Sequence, residues 1–390
     1  MLWIVLGVVI AVVLVFALLT FFRSTPLTKA QALVSIQNTV DKTIGKSNVT
    51  NAIVYVDSHR YGVSEVFTAG QLNGAPVKPD QPFHIASIGK AFTATLIGCL
   101  MDEYKLSLDD KITLYLDENI LEGLFVYAGV DYRCEVTVKQ LLNHTSGIAD
   151  YFDDEVHGTK PMKDWVLEDT EKIWTPQELI AFSKDYQKCV GMPGSKYHYS
   201  DTGYILLGLI IESVSKKTFD AILEEKIFSP LGMNDSCLMF YSQSKDNNTP
   251  IADVWFKGVN IKGYQSLSID WAGGGIVSTA KNLSRFIRAL NNHEIVSEET
   301  LNMLYSFDEK FMTGVHYGNG FMEYHFGEFF PTMRAYPNYV GHMGVLGTQM
   351  FYDKSTDTVY ISSFGSSDYA DGSVRKMIEI ISTLMRINEV

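Results

Sequence analysis

Basic residues are scarce in this chain: 32 Lys and Arg stand against 45 Asp and Glu in 390 residues, a formal charge of −13. Phosphate binding wants clustered cations, so the balance argues against a nucleic-acid partner. Cysteine is scarcer still. The four residues Cys99, Cys134, Cys189 and Cys237 form no C-x-x-C pair and have no His spacing suited to zinc, which argues against a disulfide scaffold or a zinc finger. Proline is low, at 11 residues, and aromatics reach 12%, so collagen-like and disordered readings fail as well. Also missing are a G-x-S-x-G elbow, H-E-x-x-H, a Walker A loop, G-x-G-x-x-G and any EF-hand spacing. No metal and no cofactor is expected.

What is present begins with an apolar run, Leu2 to Phe22, that carries no charge. As a helix it would be about 31 Å long, enough to cross a bilayer core. A cleavable signal peptide would want a basic start, a shorter apolar stretch and a small-residue cleavage site, and none is clear. An uncleaved single-pass anchor over residues 1–23 is therefore expected, with a linker at 24–32 and a single folded unit at 33–390. Arg23 and Lys29 follow the run, and by the positive-inside rule they favour a cytoplasmic body.

The acidity is uneven. Residues 101–172 hold 17 acidic against 7 basic residues, which accounts for most of the net charge. Asp150, Asp153, Asp154 and Glu155 within it read as a solvated charged face rather than a binding site.

Asn51–Val56 and Val63–Ala69 read as a hairpin, and a buried helix is expected over about Ser87–Tyr104. Helical patterns follow at Thr137–Leu142, Pro176–Tyr186 and Tyr204–Ser215. Strand signals return at Gly320–Phe326, Val345–Tyr352 and Thr358–Phe364, before a closing helix over about Ser373–Ile387. Strands at both ends with helices between predict an α+β fold: an α/β part over about 33–100 and 266–390, and a mostly helical part over about 101–265.

The chemistry points to Phe83-His84-Ile85-Ala86-Ser87-Ile88-Gly89-Lys90. Ser87 and Lys90 are three apart, hence on one helical face. Ser87 would sit in the first turn, where free N–H groups favour a developing oxyanion. Lys90, one turn deeper between apolar walls, would lose its proton more easily and take that of the serine. The S-x-x-K spacing also occurs at Ser213–Lys216, Ser242–Lys245, Ser278–Lys281 and Ser373–Lys376. The strand-like lead-in and apolar helix body single out Ser87.

Four further stretches follow in order: Leu141-Leu142-Asn143-His144-Thr145-Ser146-Gly147, Tyr199-Ser200-Asp201, Trp271-Ala272-Gly273-Gly274-Gly275 and His342-Met343-Gly344. With Ser87-Ile88-Gly89-Lys90 and Lys105-Leu106-Ser107-Leu108-Asp109-Asp110, this order resembles the serine β-lactamase and penicillin-binding-protein superfamily. The branch it looks most like holds class C β-lactamases, D-alanyl-D-alanine carboxypeptidases and related esterases. The resemblance runs from about Leu33 to the C-terminus. It implies a β-lactamase/transpeptidase-like fold, an antiparallel sheet flanked by helices with a helical insertion.

The resemblance also implies roles. Ser87 would be the acylated nucleophile, Lys90 its activating partner, and Tyr199 the proton shuttle to the leaving group, helped by a cation at Lys90 or His342. Asp201, His342 and Gly344 would line the substrate pocket, and the backbone N–H groups of Ser87 and Val345 would form the oxyanion hole. His144 would be a structural loop element, and His316-Tyr317-Gly318 a second His-x-Gly at the start of the preceding strand.

Two departures bear on substrate. Asp201 stands where the family more often has Asn, and Met343 where a Thr hydroxyl often helps hold a substrate carboxylate. Both weaken a β-lactamase reading and leave an acyl-enzyme serine hydrolase, most of all a D-amino-acid peptidase or carboxypeptidase of penicillin-binding-protein type. An esterase, a β-lactamase or a non-catalytic binding protein of the same fold are the alternatives. A small-molecule or peptide substrate is expected, and family members mostly act outside the cytoplasm, which favours an extracytoplasmic body despite the flanking charges.

Overall fold

The computed structural model describes residues 25–245 and 249–387. The apolar run expected to anchor the chain lies outside them. Among the described residues no helix is long and apolar enough to cross a membrane.

One antiparallel sheet organises the molecule. Its strands are β1 (Asn51–Ser58), β2 (Val63–Leu72), β3 (Ala75–Pro76), β4 (Glu309–Met312), β5 (Val315–Tyr317), β6 (Met322–Tyr324), β7 (Tyr339–Gly344), β8 (Thr348–Asp353) and β9 (Thr358–Ser363). Their order is β4-β5-β6-β7-β8-β9-β1-β2-β3. The last strand therefore sits beside the first, with Ile53 opposite Ser363 and Ser58 opposite Thr358.

Both faces are covered. Alternate residues of a strand point to opposite faces, and β1 divides accordingly. Ala52, Val54 and Val56 pack with helix α1 (Lys29–Asp41) and the closing helix, Ala370–Leu384. Ile53 joins the other core, with Leu283, Phe286, Ile287 and Leu290 of the helix Ala280–Asn291. Each Val, Ile, Leu or Phe among them contributes about 1.5–3 kcal/mol when fully buried.

That second face also holds α2 (Gly89–Asp102), buried from Gly89 through Leu100, and α3 (Asp201–Ser215), buried from Thr202 through Ile211. A small three-stranded sheet pairs Phe83–His84 with Ile276–Ser278, and Ile276–Ser278 with Cys237–Leu238. It ties the lead-in of Ser87 to the segment after the glycine run.

The structure moves several expected boundaries. Helix α1 starts at Lys29, inside the expected linker, because Thr28 and Gln31 form a reciprocal cap. The nucleophile helix opens with a 3₁₀ turn, Ala86–Ile88, so Ser87 precedes the α-helix proper. The strand expected from Val345 begins at Thr348, since residues 345–347 are the turn between β7 and β8. The segment 101–265 contains helices but also two short hairpins, at Val126–Asp131 and Trp255–Asn260. Nor is its acidity uniformly solvated. Asp150 is only 3% exposed and accepts the backbone N–H groups of Phe152 and Asp201.

Candidate active site

The site forms where three segments are forced together around Ser87. Ala86 holds a left-handed backbone, φ 50°, which costs a non-glycine residue about 1–2 kcal/mol and turns the chain sharply from strand into helix. Only glycines let the neighbours approach this turn. A methyl group on Gly274 would lie 2.8 Å from the Ala86 carbonyl carbon. One on Gly344 would lie 2.4 Å from Thr348 Oγ1 and 2.9 Å from the Ile85 carbonyl oxygen. The Thr348 hydroxyl donates to that same carbonyl at 2.9 Å, clamping the end of β7 against the nucleophile turn.

Lys90 is fully buried, and its Nζ lies 3.4 Å from Ser87 Oγ. The walls around its head are polar rather than apolar as expected. It makes a close ion pair with Asp201 Oδ1, donates to the Gly273 carbonyl at 2.9 Å, and stands over the rings of Tyr199 and Tyr204. A buried amine with this set of partners is fixed in position beside the serine.

Tyr199 ends the extended segment just before α3. Its ring lies 4.3 Å from that of His144, and His144 Nδ1 accepts the Ser200 backbone N–H at 3.1 Å. His144 is thus a structural support for the tyrosine, as expected of a loop element. Burial and the Asp201 charge hold the Tyr199 phenol well above its usual pKa, while the Ser87 hydroxyl pulls the other way. In the resting site it carries its proton. The help expected from a neighbouring cation is outweighed at rest by burial and by Asp201.

His342 also departs from expectation. It is fully buried, its Nε2 lies 3.1 Å from the Tyr317 hydroxyl and its Nδ1 2.7 Å from the Met343 carbonyl. Burial first, and Lys90 second, push its pKa down to about 3. It is neutral and faces the tyrosine cluster. The period-2 alternation of β7 turns Met343 instead toward the substrate space.

That space is a cavity of about 430 Å³ lined by Ser87, Tyr199, Asp201, Gly344 and Val345, so of the expected site residues only Lys90 and His342 lie behind its wall. Phe152, Phe256, Phe311 and Phe329 give it broad apolar surfaces. Its charged lining among the described residues is Asp153, Asp201, Asp270 and Asp371, with no Lys, Arg or His.

Asp270 is a site residue that sequence reasoning missed. Its Oδ2 lies 3.5 Å from His84 Nε2. His84 Nδ1 accepts the Ala86 N–H, so Nε2 carries the ring's proton and faces the carboxylate. Burial pulls the His84 pKa down to about 4, leaving it neutral. Asp270 therefore has an orienting neighbour but no ion-pair partner in contact, and burial together with Asp201 outweighs the Lys90 charge and raises its pKa to about 7. The available signal was a lone acid directly ahead of Trp271-Ala272-Gly273-Gly274-Gly275.

A family model described as Beta-lactamase matches residues 49–371. The chain belongs to the beta-lactamase family. It is similar to a D-stereospecific amidohydrolase from a Streptomyces species, 25% identical, with a TM-score of 0.72 over 89% of this chain and 97% of that one. The fold also matches D-amino acid amidase from Ochrobactrum anthropi at 23% identity, with a TM-score of 0.73 over 91% of this chain and 98% of that one. Penicillin-binding protein 4 from Amycolatopsis lactamdurans is 32% identical over 166 residues, 42% of this chain and 38% of that protein. The chain spans about two fifths of the length of the curated relatives that it first matches. The β-lactamase/transpeptidase-like α+β architecture expected from the motifs is the one observed, and the family and its structural neighbours are hydrolases.

Proposed function

We propose that this serine hydrolase is an amidase or peptidase whose acyl donor carries a positively charged amine. The observation that carries the reading is the cavity lining: with Asp201 paired to Lys90 and Asp153 to Lys163, Asp270 and Asp371 remain as carboxylates on a wall that holds Ser87 and no Lys, Arg or His. A substrate carboxylate, which a β-lactam or a carboxypeptidase substrate presents, meets no positive partner there. An ammonium meets Asp270, with apolar surface alongside for a side chain.

In this reading Lys90 first releases a proton to solvent from its ion pair with Asp201, and Ser87 Oγ then attacks the substrate carbonyl carbon while its own proton passes to the free amine. Asp201 balances the ammonium that forms. The carbonyl oxygen becomes an oxyanion facing the N–H groups of Ser87 and Val345, an arrangement typically worth about 3 kcal/mol per donor. As the tetrahedral centre collapses, the carbon–nitrogen bond breaks. Tyr199 gives its proton to the leaving nitrogen and recovers one from Lys90. Water then adds to the ester, Lys90 takes its proton, and Ser87 leaves protonated with release of the acid.

D-configured substrates are proposed from the likeness to the D-stereospecific amidohydrolase and the D-amino acid amidase. An ester is the second reading, favoured by the four phenylalanines on the walls. The test offers matched D- and L-amino acid amides, their N-acetylated forms and simple esters, and follows the mass of the intact protein. A Ser87-bound acyl group from the free-amine D-amide supports the proposal. Equal rates for the acetylated amide sink the amine reading, and no adduct with any substrate revives a non-catalytic role. Membrane attachment through residues 1–23 and an extracytoplasmic body are part of the same proposal. Protease added to intact cells should then cut the catalytic unit.

A further inference from the structure

The second His-x-Gly of the sequence, at His316, plays no part in the chemistry above, and its surroundings are organised for another purpose. His316 lies on β5, directly opposite Glu323 of β6. The chain then turns through His325 into a short helix, Phe326–Phe329, that carries Glu328. His316 Nε2 lies 2.9 Å from Glu328 Oε1, and His325 Nδ1 lies 3.5 Å from the same oxygen. One donor atom from each of the three residues falls within 4.8 Å of the others, a spacing that one small ion can bridge. Imidazole with carboxylate is a donor set for a borderline divalent cation, zinc foremost.

The outer contacts make this more than a surface ion pair. The other ring nitrogen of His325 contacts Glu323 Oε2 at 2.5 Å. A carboxylate behind a histidine is the arrangement that fixes tautomer and ring direction in metal sites. Glu323 is itself held by Asn338 through its second oxygen. The second oxygen of Glu328 accepts the Gly314 backbone N–H at 3.2 Å. The outward atoms of His325 and Glu328 are anchored, and the three inward atoms face one another. The side chains are 25–39% exposed, so an ion has an entry path and room for water ligands.

We infer that His316, His325 and Glu328 form a zinc-binding site, with Glu323 as the positioning residue of His325. It is separate from the acyl-transfer centre. It abuts the cavity wall, because Phe329, next to Glu328, lines that cavity.

The experiment titrates the folded, full-length protein with zinc by calorimetry, and with cobalt followed by visible absorption. Binding of one zinc is expected, with loss of at least about 10-fold in affinity for His316→Ala and for Glu328→Gln. Glu323→Gln is expected to weaken zinc about 10-fold while the unfolding temperature of the apo protein stays the same. Cobalt should give d–d bands without the near-ultraviolet thiolate band that binding at the four cysteines would show. Binding unchanged in His316→Ala, a thiolate band, or no binding at all would overturn the inference.

Discussion

Gly344 and Ala86 touch across the nucleophile turn: a methyl group on Gly344 would stand 2.8 Å from the Ala86 Cβ. The end of β7 and the first residue of the 3₁₀ turn thus fix one another, and with them the two N–H groups assigned to the oxyanion. Gly344→Ala should cost about 1–3 kcal/mol of stability through overpacking. It should lower kcat about 100-fold, the size of one lost oxyanion donor. Urea unfolding and steady-state kinetics check it, and a rate equal to wild type would remove the contact from the catalytic argument.

Ala86 itself holds φ 50°, a conformation that glycine adopts without penalty. Ala86→Gly should therefore change stability by less than about 0.5 kcal/mol, because released strain offsets the added freedom of the unfolded chain. Ala91→Gly, in the buried body of α2, should cost at least about 1 kcal/mol. Calorimetric unfolding of the two variants side by side decides whether the turn is strained.

Asp270 titrates at about 7 in the folded protein against an ordinary 3.8. Between these values the unfolded chain has released the proton that the folded chain keeps. The folded state therefore loses stability as pH rises from about 4 to 7, and the deficit stays constant above. Because this side chain is 30% exposed, Asp270→Asn should recover only about 1–2 kcal/mol at pH 8, and little at pH 4. For an amine substrate that keeps its proton across this range, wild-type KM should fall as pH rises through about 7. In Asp270→Asn that step should vanish. Melting curves at the two pH values and a KM profile read both effects, and an unchanged profile would dissociate Asp270 from substrate.

Tyr199 carries its proton at rest, so its contribution lies in protonating a poor leaving group. Tyr199→Phe should slow amide hydrolysis about 10²–10⁴-fold and affect an activated ester, whose leaving group needs no proton, far less. Comparison of one acyl group on the two leaving groups measures this. Equal losses would show the phenol acting on Ser87 instead.

The strand pairs, buried α2 and the stretches carrying Ser87, Lys90 and Tyr199 were legible because periodicity and local order survive in sequence. Polarity deep in the site was less so. His342 falls on the expected strand, yet whether a histidine there is charged depends on burial by Tyr317 and on Lys90, groups far away in the chain. Asp150 looks like one more acid in an acidic stretch until the N–H groups of Phe152 and Asp201 are seen to enclose it. Asp270 carries no motif, and only the fold shows that burial and Asp201 outweigh Lys90 around it. Val345 became a turn residue because Gly344 ends its strand against Ala86.

The strand order has a consequence for synthesis. Ile53 of β1 cannot meet Ser363 of β9, nor the Ser87 turn be clamped by Thr348, until the chain through those residues has left the ribosome. Until then β1 presents an open edge with hydrophobic faces on both sides, and contacts of such long range form slowly. Assembly of the Ser87 turn must therefore await β8 and β9, and the growing chain exposes the β1 edge to aggregation until β9 arrives.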